Sequence, residues 1–234
     1  MTNSNYDAFQ QFARAADALL DPRSVKVALD VGSRDAEVAL YLKQHYPNAT
    51  VFAFECNPAA VELCRRRLSG QPGVFLVDRA VSDVEGVLDF FAIDPDKTLT
   101  PHADGNIGAS SLYRARPDYP HETYVQTRIS VQSITLEAWA RRQGLAAIDV
   151  IWMDLQGAEL RALMGLGRLL QEVKLVYTEL EYKPMYQDQP LAAEVRGFLR
   201  AHGLHLCKRF NVWEWFGDEL FCRRALLPWW KKWL

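Results

Sequence analysis

Short apolar runs alternate with amphipathic stretches along most of this chain. Lys26–Asp30, Thr50–Glu55, Val74–Val77, Val150–Asp154 and Leu175–Glu179 are almost continuously apolar, as strands buried on both faces are. Between them, Ala36–His45, Pro58–Leu68, Thr135–Arg142 and Leu191–His202 repeat apolar residues at helical spacing. Asn57-Pro58 reads as an N-cap and first helical residue, and Gly203 as a C-cap. Phe9, Phe12, Ala16, Leu19 and Leu20 predict a lead-in helix over Tyr6–Leu20, stopped near Pro22. Val87–Phe91 and Tyr124–Val131 predict two more strands, the second half-exposed by its alternation. Leu204–Arg209 and Glu219–Arg223 predict a closing antiparallel pair.

Strands alternating with helices predict an α/β fold: a doubly wound, mostly parallel seven-stranded sheet with helices on both faces and a C-terminal antiparallel strand pair. The predicted organisation is a lead-in helix over 1–24, one domain over 25–224 and a Trp/Lys-rich tail over 225–234. Residues 94–122 show no period and carry proline, glycine, serine and histidine. A loop of that length in a compact domain predicts a lid or binding loop, with a disordered excursion as the bland alternative.

Composition narrows the partners. The 234 residues carry a net charge of -2, which gives no electrostatic case for a nucleic-acid partner. Arg65-Arg66-Arg67 is expected to be a solvated helix face. No apolar run reaches the ~18 residues of a membrane span, and the N-terminus lacks the pattern of a signal peptide, so a cytoplasmic location is expected. Cys56, Cys64, Cys207 and Cys222 form no C-x-x-C pair and are expected to be free thiols. The tail Pro228-Trp229-Trp230-Lys231-Lys232-Trp233-Leu234 is expected to dock on the domain or a second subunit, with weak membrane-surface contact as the alternative. Homo-oligomerisation stays open.

Candidate chemistry lies where strands end. In open α/β sheets, ligands bind beyond the carboxyl ends of the strands. Asp30, Glu55, Asp78, Asp154 and Glu179 all fall at such ends. Gly32 follows the first strand, and Glu55 ends the second at close to the ~20 residues expected between a glycine turn and a ribose-binding acid. The turn Gly32-Ser33-Arg34-Asp35-Ala36 keeps only the first glycine of the dinucleotide fingerprint, and Asp35 would repel a phosphate at the helix N-terminus. NAD is disfavoured. S-adenosylmethionine, a nucleoside with no phosphate, fits better.

The chain resembles the FkbM-type family of S-adenosylmethionine-dependent methyltransferases. The resemblance rests on Leu29-Asp30-Val31-Gly32, Phe52-Ala53-Phe54-Glu55-Cys56-Asn57-Pro58, Ala80-Val81-Ser82-Asp83, Met153-Asp154-Leu155-Gln156-Gly157-Ala158-Glu159-Leu160, Tyr177-Thr178-Glu179-Leu180 and Trp215-Phe216-Gly217-Asp218-Glu219-Leu220-Phe221. It departs from the family at Gln156, usually an acid, and at Arg34 to Ala36, usually richer in glycine.

The resemblance implies methyl transfer to a hydroxyl of a sugar, glycan or other small molecule. It implies backbone contacts from Gly32 and Ser33 to the methionine part and Asp30 at its ammonium. Glu55 would take the ribose hydroxyls, Asn57 and Asp78 would flank the adenine with Ala80 nearby, and Asp154 would lie nearest the methyl group. The proton must go to a base. Asp154, His102, His121 and Glu179 are the candidates, with Asp154 or a loop histidine preferred. Ser110, Ser111, Tyr113, Glu179 and Tyr182 are candidate acceptor contacts. Asp154 with Glu179 could hold Mg²⁺, but no third ligand is evident, so no metal is predicted. The alternative reading is a non-catalytic methyltransferase fold kept as a binding module.

Overall fold

The computed structural model describes residues 4–227. The elements are α1 (Ser4–Asp17), β1 (Val27–Val31), α2 (Glu37–His45), β2 (Thr50–Glu55), α3 (Pro58–Leu68), β3 (Val74–Asp78), β4 (Ala80–Val81), β5 (Gly86–Ile93), β6 (Gln126–Ile134), α4 (Leu136–Arg142), β7 (Val150–Met153), α5 (Glu159–Met164), β8 (Leu175–Glu181), α6 (Ala192–Ala201), β9 (Leu204–Phe210) and β10 (Phe216–Arg223). The main sheet has seven strands in the order β3-β2-β1-β7-β8-β10-β9. The run β3 to β8 is parallel, and β10 pairs antiparallel with both β8 and β9. Strand order reverses between β1 and β7, which is where such sheets open a crevice for a ligand.

Local signals set the element ends. Asn57 accepts from the Ala59 N–H at 3.2 Å and Thr135 from the Ala138 N–H at 3.2 Å, as N-caps of α3 and α4. The lead-in helix stops at Asp17, short of the expected Leu20, and a 3-10 turn over Pro22–Ser24 follows. At the other end of the sheet, Asp149 accepts from the Lys26 and Val27 N–H groups at 2.7 and 3.0 Å and pairs with Lys174 at 2.6 Å. It is a structural acid that ties the starts of β1, β7 and β8.

Cores fill both faces of the sheet. One packs Leu29, Phe54, Trp139, Ile151 and Leu199; the other packs Phe12, Leu42, Trp152 and Tyr177 under α1 and α2. Trp152 and Tyr177 stack at 3.9 Å between centroids, with Phe12 edge-on to each at 5.4 Å. Aromatic pairs add to the energy of burial itself, so α1 is a packed part of the domain.

Three features were not in the sequence reading. The strands β4, β5 and β6 form a second sheet of three strands in the order β4-β6-β5. The segment 94–122 is ordered: isolated bridges pair Phe91 with Ser111, Leu99 with Thr123 and Ala115 with Tyr186. The third corrects the expectation of four free thiols: Cys207 and Cys222 are joined by a disulfide between β9 and β10, while Cys56 and Cys64 are free. A register shift at Leu220/Phe221 skips Cys207 in the ladder and turns it toward Cys222. Arg65-Arg66-Arg67 is partly neutralised, through Arg65 with Glu62 and Asp78 and Arg67 with Asp35. No described helix is long and apolar enough to cross a membrane. Pro228 to Leu234 lie outside the described residues, and so does the expected docking of that tail.

Candidate active site

A cavity of about 780 Å³ opens at the carboxyl ends of β1, β2, β7 and β8. The turn after β1 lines it. Gly32 has φ +86°, and a Cβ there would lie 1.8 Å from the Asp154 carbonyl oxygen. Only glycine lets the two chains approach so closely. The next turn residues keep left-handed backbone without being glycine: Arg34 at φ 52° and Ala36 at φ 62°. Such conformations cost about 1–3 kcal/mol each, so the turn holds its shape through its contacts.

Those contacts converge on Glu55. Its Oε1 accepts from the Cys56 and Asn57 N–H groups, both at 2.7 Å, and its Oε2 accepts from the Arg34 N–H at 2.8 Å. Burial pushes the Glu55 carboxyl up, and the three backbone donors hold it back. Beside it, Asp30 is 1% exposed and accepts a short hydrogen bond from the Ser33 hydroxyl. Burial pushes the Asp30 carboxyl up to about 7. Asp35 is neutralised by Arg67 at 2.8 Å and accepts from the Glu37 N–H, the first of α2, at 3.2 Å.

Across the switch point three acids share one level of the sheet. Met153 pairs with Thr178 and Glu179 pairs with Asp218, so Asp154, Glu179 and Asp218 form a rung over β7, β8 and β10. Directly opposite residues of neighbouring strands project to one face. All three line the cavity. Gln156 Nε2 donates to Asp154 Oδ1 at 2.7 Å and to Glu179 Oε1 at 3.3 Å. Asn211 Nδ2 donates to Asp218 Oδ2 at 2.7 Å. Burial raises all three carboxyls; the neighbouring Asp154 and Asp218 carboxylates lift Glu179 further, and Asp218 reaches about 6.

The loop 94–122 covers the cavity. His102, Asn106, Ile107, Gly108, Ser110 and Leu112 line it from above. Arg34 pairs with Asp104, Asn57 Nδ2 donates to Ser110 Oγ at 3.3 Å, and the Tyr186 hydroxyl lies 2.9 Å from the Ala109 carbonyl oxygen.

Of the residues singled out from the sequence, Asp30, Gly32, Ser33, Glu55, Asn57, Ala80, His102, Ser110, Asp154 and Glu179 line the same cavity. Asp78, Ser111, Tyr113, His121 and Tyr182 do not. Asp78 is exposed and paired with Arg65 at 2.8 Å. Ser111 donates to the Gln156 carbonyl at 2.7 Å and anchors the loop from behind. His121 is exposed and lies edge-on to Tyr119 and Trp215 at 5.5 and 5.8 Å. The Tyr182 ring lies under the Arg196 guanidinium at 5.4 Å. Among the described residues no three His, Cys, Asp or Glu side chains converge as metal ligands. Sequence reasoning missed Asp218, Asn211 and Trp213 in the cavity wall, and Asp7 and Gln11, which α1 brings to its rim. The one available signal was Asp218, inside the segment Trp215-Phe216-Gly217-Asp218.

Comparison with known proteins gives the family and the fold. A family model for the methyltransferase FkbM domain matches residues 30–206. The 2-O-methyltransferase NoeI of Sinorhizobium fredii (strain NBRC 101917 / NGR234) is 33% identical over 172 residues, which are 71% of this chain and 68% of that protein. Methyltransferase sdnD of Sordaria araneosa is 26% identical over 152 residues, 58% of this chain and 59% of that protein. The fibrillarin pre-rRNA processing protein of Methanococcus jannaschii shares the fold, with a TM-score of 0.50 at 8% identity, over 87% of this chain and 69% of its own. The family match covers the glycine turn, Asp30, Glu55 and the Asp154 segment, and on that ground the chain belongs to the FkbM family of S-adenosylmethionine-dependent methyltransferases.

Proposed function

We propose that this enzyme methylates a hydroxyl oxygen of a small molecule or glycan. The observation that carries the reading is Glu55, fixed by three backbone N–H groups at the rim of a cavity that also contains Asp30 and the Asp154 rung. The residues suit S-adenosylmethionine by their chemistry. Its ribose diol offers two donors to one carboxylate, and its ammonium and sulfonium are cations facing acids.

When bound, S-adenosylmethionine supplies a methyl carbon activated by the neighbouring sulfonium. Gly32 and Ser33 lie at the methionine part, and Asp30 takes the ammonium. Glu55 receives the ribose hydroxyls on the lone pairs its backbone donors leave free. Asn57 stands at the adenine, with Ala80, Phe90, Ile107 and Leu112 as apolar walls. Asp78, tied to Arg65 outside the cavity, has no part in this reading. The loop 94–122 excludes water.

Asp154 takes the proton from the acceptor hydroxyl. Its Oδ1 is engaged by Gln156, which leaves Oδ2 to receive that proton. Burial raises the affinity of this carboxylate for a proton, which makes it a stronger base than a solvated aspartate. Glu179 lies next to it on the rung and orients the hydroxyl. His102, exposed on the covering loop, is the histidine within the cavity wall and the second candidate base.

The test is calorimetric titration with S-adenosylhomocysteine, with NAD as the control ligand. Micromolar binding of the first and none of the second is expected. Glu55→Ala should weaken binding at least about tenfold, or about 1.4 kcal/mol. Unchanged affinity in that variant would remove Glu55 from the ribose site.

A further inference from the structure

The rung of acids continues outward to a mouth built from two segments that the family match leaves out. The match spans residues 30–206, whereas α1 lies before it and the β9–β10 hairpin tip with β10 lies after it. Asp7 and Gln11 of α1, and Asn211, Trp213, Phe216 and Asp218 of the hairpin, all line the cavity. A hydrogen-bond relay links the two segments. Gln11 Nε2 donates to Asn211 Oδ1 at 3.4 Å, and Asn211 Nδ2 donates to Asp218 Oδ2 at 2.7 Å.

Two properties of this mouth describe its ligand. Trp213 is 66% exposed yet forms part of the cavity wall, so it presents a flat apolar face to whatever enters. The charge is one-sided. Asp7, Asp154, Glu179 and Asp218 line this end, while the cavity-lining arginines, Arg34 and Arg79, belong to the β1 turn and the β3–β4 junction at the cofactor end. Nearby cations are already engaged: Lys183 by Glu214, and Arg196 and Arg209 by Glu219.

We propose that the methyl acceptor enters between α1 and the β9–β10 hairpin and is selected there as a non-anionic ring rich in hydrogen-bond donors, lying on Trp213. Hydroxyl or amino groups on the ring donate to the acids and amides of the mouth, and a phosphate or carboxylate is repelled. The family-matched core binds the cofactor, and these two outer segments choose the acceptor. The inference rests on the methyl-transfer reading above.

The experiment uses the full chain and begins with S-adenosylhomocysteine binding. Saturation-transfer NMR is then recorded on the loaded protein with three probe sets: methyl glycosides of neutral hexoses, a methyl glycoside of an aminohexose, and hexose 1-phosphates. Signals are expected from the neutral or amino set and none from the phosphates. Trp213→Ala should weaken the bound glycoside at least about tenfold and leave S-adenosylhomocysteine affinity within about twofold. Phe75→Ala, which removes an exposed ring on the far edge strand β3, should change neither. Asp7→Asn combined with Asp218→Asn should admit the 1-phosphates. Equal binding of phosphates and glycosides by the wild type, an unchanged glycoside signal in Trp213→Ala, or silence from every probe on protein that binds S-adenosylhomocysteine would overturn the proposal alone. Failure at the first step would overturn the methyl-transfer reading beneath it.

Discussion

Gln156 donates its side-chain amide to Asp154 Oδ1 at 2.7 Å and to Glu179 Oε1 at 3.3 Å, and its own Oε1 lies 2.8 Å from the Tyr186 hydroxyl. Two carboxylates this close repel each other, and each raises the proton affinity of the other. A neutral amide between them supplies donors that oppose the rise burial imposes on Asp154. Tyr186 fixes which end of the amide faces the acids, and its hydroxyl also lies against the Ala109 carbonyl of the covering loop. Gln156→Leu should therefore move the acid limb of the pH–rate profile upward and lower kcat at least about tenfold, with S-adenosylhomocysteine affinity held within about twofold. The pair of measurements is a pH–rate profile and a calorimetric titration. A profile that falls in height without moving would mean that Gln156 only supports the fold.

Asp154→Asn separates binding from chemistry. The substituted amide keeps the shape and an oxygen for the Gln156 donor but has no lone pair basic enough to take a proton. Cofactor binding should be retained and turnover lost by about 100-fold or more. His121→Ala, outside the cavity wall, should retain both. Full activity in Asp154→Asn would pass the proton-accepting role to His102, which a His102→Ala variant then tests.

With Asp30 at the ammonium, as proposed, cofactor binding should depend on pH. Its carboxyl titrates at about 7 because burial disfavours the charge. A ligand ammonium requires the ionised form, so binding must expel the proton that Asp30 holds below that pH. Affinity for S-adenosylhomocysteine should be level above about pH 8 and fall roughly tenfold by pH 6, with proton uptake by the buffer. Titrations in buffers of different ionisation enthalpy measure that proton directly. A flat profile, or affinity that rises on acidification, would contradict the assignment of Asp30 to the ammonium.

The Cys207–Cys222 disulfide closes a loop with a sequence separation of 15. A loop of that length restricts the unfolded chain by about 3 kcal/mol. A domain of this size shifts its melting temperature by roughly 2–4 °C per kcal/mol. Reduction, or Cys207→Ser, should lower Tm by roughly 6–12 °C in scanning calorimetry. Equal Tm values with and without reductant would show that the bond adds nothing to stability.

The central strands were legible because burial on both faces leaves no room for polar residues. Val27–Val31, Thr50–Glu55 and Val150–Met153 accordingly read as apolar runs ended by turns. The two-residue β4 and the six-residue α5 carry too few positions for any period to show. The strands β5 and β6 were visible singly, but their departure into a second sheet is a pairing decision made by residues far apart in sequence. The site divides in the same way. Asp30, Glu55 and Asp154 were legible because each marks a strand end. Asp218 was not, since its place beside Glu179 follows from an antiparallel register. The disulfide escaped for a related reason: the bulge that aligns Cys207 with Cys222 has no sequence signature at this level. Asp7 and Gln11 reach the cavity only through the docking of α1 on Trp152 and Tyr177.

Arg34 belongs to two structures at once. Its backbone N–H holds Glu55, and its guanidinium holds Asp104 of the covering loop. The seat proposed for the ribose and the loop above it therefore share a single residue, while the mouth proposed between α1 and the hairpin would be a separate way in. On that proposal the two substrates bind in a fixed order, the nucleoside first and the acceptor second through the other opening. In steady-state kinetics S-adenosylhomocysteine should then compete with S-adenosylmethionine and inhibit non-competitively against the acceptor, and breaking the Arg34–Asp104 pair should turn that ordered scheme into a random one.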